Sequence, residues 1–145
     1  MGKKYSAEYD KEKMAVASGK SLPVSTKHSV EIASFIRGKK LSVAIKQLEE
    51  VMDMKRAIPF KRFNKNVGHR KGRMASGRFP QKACEQILSV LKSAEANAQF
   101  KGLSTNNLVI CHVCANRAST PWRFGRQKRR KSKKCSTKFR AGMTS

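Results

Sequence analysis

The feature that most limits how this chain can fold is its last thirty residues, which carry eleven Lys or Arg and no Asp or Glu. Such a segment has few apolar side chains to bury and its like charges repel, so it cannot form a core of its own. Trp122, Phe124 and Phe139 lie among these cations, and flat rings of this kind stack on bases and sugars. Residues 116–145 are therefore predicted to form a basic arm that lies against a polyanion, and RNA is the most abundant structured polyanion in a cell.

The net charge of +24 is distributed unevenly along the 145 residues. All nine acidic residues lie at or before Glu95, and residues 55–82 and 96–145 contain none. A solvated basic surface ordinarily includes acidic residues, because mixed signs reduce self-repulsion. The two acid-free stretches therefore indicate a polyanionic partner rather than a need for solubility.

Apolar periodicity predicts two helices in the first part of the chain. The first is expected to begin after Ser25, an N-cap residue, and to end at Gly38, because glycine is typical of a helix C-terminus. The second is expected to be capped by Ser42 and to end before Pro59, which restricts the residue in front of it.

A third, long helix is predicted to begin at Pro80 and to end at Gly102. Residues 107–115 are short and rich in β-branched residues, and with little alternation they predict a strand covered on both faces. The chain is therefore expected to be an α+β protein with a short strand at residues 21–24, three helices, a second strand, a long basic loop and a basic C-terminal arm. The expected divisions are a flexible basic tail at residues 1–20, a globular body at 21–115 and the basic arm at 116–145.

Residues 57–79 form the basic loop between the second and third predicted helices. A loop of this length in a compact domain is usually functional or disordered, and arginine offers a planar fork that pairs phosphate oxygens. Phe60 is expected to anchor the loop to the helices, whereas Phe63 could either anchor it or stack on a base. The candidate RNA-binding residues of the loop are Lys61, Arg62, Lys65, His69, Arg70, Lys71, Arg73 and Arg78. Those of the arm are Arg117, Trp122, Arg123, Arg126, Lys128, Arg129, Arg130, Lys131, Lys133 and Lys134.

Cys111 and Cys114 have the CxxC spacing of a zinc site, but the second pair of ligands that such a site needs is missing. Cys135 stands among lysines and Cys84 falls within the third predicted helix. An odd separation on a strand also sends two side chains to opposite faces. We therefore expect two buried strand cysteines and no bound metal.

Catalysis and membrane binding are not expected. His28, His69 and His112 are scattered over helix, loop and strand, the acidic residues are expected mostly on helix exteriors, and a nucleotide-binding glycine motif after a strand is missing. We predict no enzyme activity, no cofactor and no small-molecule substrate. The sequence lacks an apolar run of about eighteen residues, so no transmembrane helix is expected. The arm lacks the apolar face of a lipid-binding helix, so no membrane partner is expected. Four cysteines behind an N-terminus without an apolar signal predict reduced thiols in the cytoplasm.

Several segments in fixed order resemble the family of large-subunit ribosomal protein twenty-two, called seventeen in eukaryotic naming. They are IRGKKLSVAIKQLEEV, RAIPFKRFNKNVGHRKG, GRFPQKA, LKSAEANAQFKGL and NLVICHV, and together they span roughly residues 21–115. The insertion IPFKRFN is similar to the archaeal and eukaryotic branch.

The resemblance implies a structural constituent of the large ribosomal subunit, located in the cytoplasm. It implies binding to large-subunit rRNA, bracing of rRNA domains during assembly, and an arm that lines the peptide exit tunnel. It also implies that three helices pack on a small antiparallel sheet and that the basic arm is an extended C-terminal β-hairpin. Residues 59–73 would be the rRNA-facing loop and 117–130 the outgoing leg and tip of the hairpin. The implied partners are large-subunit rRNA, neighbouring large-subunit ribosomal proteins and the nascent peptide near the arm.

The end of the chain departs from the family pattern. Family members close with an alternating apolar strand, whereas residues 124–145 read FGRQKRRKSKKCSTKFRAGMTS. Either the hairpin is atypical and the sheet is one strand short, or the sequence is truncated or divergent there.

A free-standing architectural DNA- or RNA-binding protein is the alternative function, because charge alone would serve it equally well.

Overall fold

The computed structural model of the protein describes residue 10 and residues 12–72, 74–118 and 137–144. Within these ranges the α+β class predicted from the sequence is confirmed. The elements are β1 (Met14–Leu22), α1 (Thr26–Ile36), α2 (Leu41–Met52), β2 (Ile58–Pro59), β3 (Gly77–Arg78), α3 (Gln81–Phe100), a 3₁₀ turn (Thr105–Asn107), β4 (Val109–Arg117) and β5 (Thr137–Thr144).

The main sheet is antiparallel, with the strand order β1-β5-β4, so the last strand in sequence is the central one. Two rows of aligned residues cross it, and every member is buried because the helices cover this face. The rows are Ala15, Met143 and Ile110, and Ala17, Ala141 and Val113.

The expectation of a sheet that is one strand short is wrong, because β5 closes the sheet between β1 and β4. The expectation of a flexible tail is also wrong for residues 14–20, which belong to β1. Both strands are poor in large apolar residues, and their buried positions hold mostly alanine. Pairing and close helix packing stabilise such strands even though their local patterns are weak.

The three helices lie against the sheet and against each other. Helix α3 packs on β1 and β5, α1 packs on β4, and α2 packs on α3. As predicted, Gly38 and Gly102 follow the ends of α1 and α3 in the left-handed region, with φ of 75° and 73°. Among the described residues, no helix is long and apolar enough to cross a membrane.

Helix α2 begins at Leu41, so the predicted cap at Ser42 is wrong. The reason is tertiary, because the turn between α1 and α2 is bonded to the outer edge of β4. The Gly38 and Leu41 N–H groups donate to the carbonyls of Ile110 and Leu108, at 2.8 and 2.9 Å. These bonds fix the backbone before Ser42 is reached.

Strand β4 has one buried row, so the prediction that both of its faces are covered is wrong. A register shift between Ile110 and His112 inserts Cys111 as an extra residue. Ile110 and Val113 are both buried although they are three positions apart. The odd-spacing argument applied to the two cysteines therefore fails at this bulge.

Candidate nucleic-acid interface

The basic loop is ordered over its described residues, because its two sides pair. Ile58 and Pro59 in β2 pair with Arg78 and Gly77 in β3. Farther out, the Arg70 N–H donates to the Ala75 carbonyl at 2.8 Å, next to a bridge between residues 69 and 76. The pairing joins the two sides of the loop, so the backbone that carries its side chains is held in place.

The base of the loop is held by Phe60, whose predicted anchoring role is confirmed by its burial in the core. Its ring meets the ring of His28 on α1 edge to face, with 5.5 Å between centroids. Burial lowers the pKa of His28, and the nearby positive charge of Arg78 lowers it further. His28 is therefore a packing residue at the foot of the loop.

Directly after Phe60, the backbone wraps around the side chain of Glu31 on α1, which is only 3% exposed. One carboxylate oxygen accepts the Lys61 N–H at 3.1 Å. The other accepts the N–H groups of Arg62 and Phe63, at 2.8 and 2.7 Å. The expectation that acidic residues lie on helix exteriors is thus wrong for Glu31, whose charge is compensated by three backbone dipoles.

Sequence reasoning missed Glu31. The available signal was its position inside the apolar run of α1, between Val30 and Ile32, in a helix with no other acidic residue. A single carboxylate in such a run points toward the core or its edge, where it needs donors. Those donors belong to a segment thirty residues away, so the sequence did not identify them.

The predicted cations of the loop face solvent wherever the structure describes them. Both ion pairs among the described residues, Lys55 with Asp53 and Arg56 with Glu50, lie outside the predicted set. Arg73 lies outside the described residues. The exposed set is Lys61, Arg62, Lys65, His69, Arg70, Lys71 and Arg78.

Two of these arginines also support the loop. The Nε of Arg70 donates to the Gly77 carbonyl at 3.2 Å, and its guanidinium lies 5.1 Å from the centre of the Phe79 ring. Arg78 donates to the Asn66 carbonyl at 3.4 Å. Their charged groups are therefore held in place and remain accessible to a ligand.

Phe63 packs partly buried against the core, which favours the anchoring alternative over base stacking. The Lys27 ammonium and the Arg62 guanidinium lie 5.7 and 5.5 Å from the centre of its ring. The ring thus helps to hold a cation of the loop beside one of α1.

Of the predicted arm, residues 116–118 and 137–144 fall within the described residues. Arg117 is exposed at the end of β4, opposite Thr137 in β5. The remaining candidates lie outside the described residues: Trp122, Arg123, Arg126, Lys128, Arg129, Arg130, Lys131, Lys133 and Lys134. The structure therefore fixes the two points, Arg117 and Thr137, between which the rest of the arm runs.

The expectation of two buried strand cysteines is wrong, because Cys111 is exposed and Cys114 is half-buried. The Cys111 thiol lies 3.3 Å from the Gly142 carbonyl, next to the bulge. No three His, Cys, Asp or Glu side chains in the described part of the chain come together in a metal-binding arrangement. Cys135 is outside that part.

A family comparison accounts for the fold and the basic loop together. The family described as ribosomal protein L22p/L17e matches residues 17–139, which include the loop, all three helices and most of the predicted arm. The chain belongs to this family. It is therefore a ribosomal protein and not an enzyme, as predicted.

Curated relatives named large ribosomal subunit protein uL22 are similar over most of their length. The protein from Archaeoglobus fulgidus is 50% identical over 81% of this chain and 80% of its own. The Methanocaldococcus jannaschii protein is 46% identical over 87% and 86% of the two chains. The Methanosphaera stadtmanae protein is 51% identical over 79% of each. All three sources are archaea, which confirms the predicted archaeal and eukaryotic branch of the family.

Proposed function

We propose that this protein is a structural constituent of the large ribosomal subunit that binds large-subunit rRNA through its basic loop and basic arm. In this role it acts in the cytoplasm within the ribosome, beside neighbouring large-subunit proteins. It braces rRNA domains during assembly, and its arm reaches along the nascent-peptide exit tunnel. The family match and the uL22 relatives support the ribosomal part of the proposal.

The observation that carries rRNA binding is the charge arrangement of the loop. Its exposed cations have no acidic side chain as a partner among the described residues, and the nearby carboxylate of Glu31 is buried and bonded to backbone. Phosphate groups are the partners that such cations can bind, with release of counterions. The body positions these contacts, which is how phosphate binding fixes register on RNA.

The support for a projecting arm is the pairing of Arg117 with Thr137, which leaves nineteen residues between them. Those residues include eight Lys or Arg and no acidic residue. A hairpin of this length would have legs of about nine residues and would reach roughly 30 Å at about 3.3 Å per residue. Replacing Arg126, Arg129 and Arg130 together with Ala should weaken rRNA binding and leave the helical circular dichroism unchanged.

The test of the proposed function is a salt titration of binding between the full chain and an archaeal large-subunit rRNA transcript. If about ten phosphates are contacted, the logarithm of the affinity should fall with the logarithm of salt at a slope near −9. A slope shallower than about −3 would contradict the footprint.

The alternative, an architectural DNA-binding protein, is tested by two matched triple variants. Replacing Lys61, Arg62 and Lys65 with Ala removes three charges from the loop. Replacing Lys46, Lys82 and Lys92 with Ala removes three from exposed helix positions. We expect only the loop variant to lose rRNA affinity strongly. Equal losses in both, together with equal competition by duplex DNA, would favour the alternative.

A further inference from the structure

We propose that Glu31 is a positioning residue for RNA binding, whose buried carboxylate sets the backbone of residues 61–63 so that the loop cations face the RNA. The inference rests on the proposed function, because it assumes that the basic loop contacts rRNA. Glu31 lies on helix α1, whereas the cations that would contact the RNA lie in the loop.

The geometry is that of an anion held by consecutive amides. Three successive N–H groups, at residues 61, 62 and 63, converge on one carboxylate within 3.1 Å. Successive amides directed at one anion require a concave backbone. The side chains of Lys61 and Arg62, which extend from this turn, are exposed. The carboxylate therefore fixes the backbone from which these two cationic side chains extend.

Glu31 can also position the loop without neutralising the positive charges of its cations. A carboxylate paired with a lysine or arginine side chain would cancel a charge that RNA needs. Glu31 instead bonds to backbone, and within the described residues it forms no ion pair with a loop cation. The loop thus keeps its cations free for phosphate, although an acidic residue lies beneath it.

Phe63 also anchors this turn through its ring, but among the described residues Glu31 is the acceptor of the N–H groups at 61–63. Phe60 fixes the base of the loop by burial, and β2 pairs with β3 only through residues 58 and 59. From residue 61 onward the backbone leaves that ladder, and the next pairing is near residues 69 and 70. Without the carboxylate, the N–H groups of residues 61–63 would hydrogen-bond to water. The backbone that carries Lys61 and Arg62 would then no longer be held in one position.

The test compares Glu31→Gln with Glu49→Gln in the full chain. Gln has nearly the same size as Glu but offers one acceptor oxygen and an NH₂ donor, which repels the amide donors of the turn. Glu49 is an exposed acidic residue on α2, so its variant makes the same charge change without touching the loop. The probe is the archaeal large-subunit rRNA transcript, and helical circular dichroism reports folding.

The change in rRNA affinity caused by Glu31→Gln should have opposite signs if Glu31 is only a nearby negative charge and if it positions the loop. If Glu31 acts only as a negative charge near the loop, its removal should strengthen binding to a polyanion. If it positions the loop, Glu31→Gln should weaken binding at least about tenfold and make the salt slope shallower by about 2, as expected for two lost phosphate contacts. Glu49→Gln should bind like the parent or slightly more tightly. Unchanged or tighter binding by a folded Glu31→Gln protein would overturn the proposal.

A second pair of variants approaches the same bonds from the loop side, in case Glu31→Gln does not fold. Arg62→Pro and Arg62→Ala both remove the cation, but only proline also removes the N–H that donates to Glu31. Weaker rRNA binding by the proline variant than by the alanine variant supports positioning, and equal binding contradicts it. The triple variant of Lys61, Arg62 and Lys65 distinguishes a failure of the proposed function from a failure of the proposed role of Glu31. If it binds normally, the proposed function fails, whereas if it alone binds weakly, only the role of Glu31 fails.

Discussion

Replacing Met143 with Ala should destabilise the protein by about 3 kcal/mol, within the range of about 2–5 for a buried methionine. Met143 is 0% exposed in the central strand, with Ala15 and Ile110 aligned on either side. Because both neighbouring strands are hydrogen-bonded to β5, they cannot easily move inward to fill the cavity. For a chain of this size, the melting temperature should fall by about 10 °C.

The matched control is Met54→Ala, which makes the same chemical change at a residue that is 63% exposed. Met54 has a φ of 59°, and alanine keeps the Cβ, so backbone strain stays the same. We expect a change within about 0.5 kcal/mol. Urea unfolding of the full-length variants, followed by circular dichroism, measures both. If Met143→Ala costs no more than the control, β5 is not the central strand, and the reasoning about a closed sheet is refuted.

Two further predictions concern titration. Burial raises the pKa of the Cys84 thiol from its ordinary 9.0 to about 12, so the unfolded thiol ionises first and stability should fall as pH rises from about 9 to 12. Cys84→Ala should remove this part of the loss in urea unfolding at pH 7 and 10, and an identical alkaline loss in the variant would contradict the assignment. Burial and Arg78 lower the pKa of His28, so the unfolded state takes up the proton first and stability should decline as pH falls below about 6.5. His28→Gln should flatten that decline, and parallel curves for variant and parent would show that His28 is not its source.

Contiguous features of the chain predicted much of the molecule. The glycine ends of α1 and α3 and the burial of Phe60 were expected. The exposure of the loop cations follows from their charge, since a run without acidic residues has nothing to pair with in a core. These features depend on neighbouring residues or on how strongly a charged side chain is solvated, and both can be predicted from a short stretch of sequence.

Three decisive features depended on residues far apart in the chain. Strand β5 lies in the centre of the sheet because β1 and β4 both pair with it, although its own residues carry a weak strand pattern. Cys111 is exposed because a bulge shifts the register of β4 against β5. Glu31 is buried because the backbone at 61–63 supplies its donors. The charge pattern thus predicted a polyanionic partner, while the packing of distant segments decided how the cations are held. Strand pairing and charge burial require a second segment that local sequence does not contain.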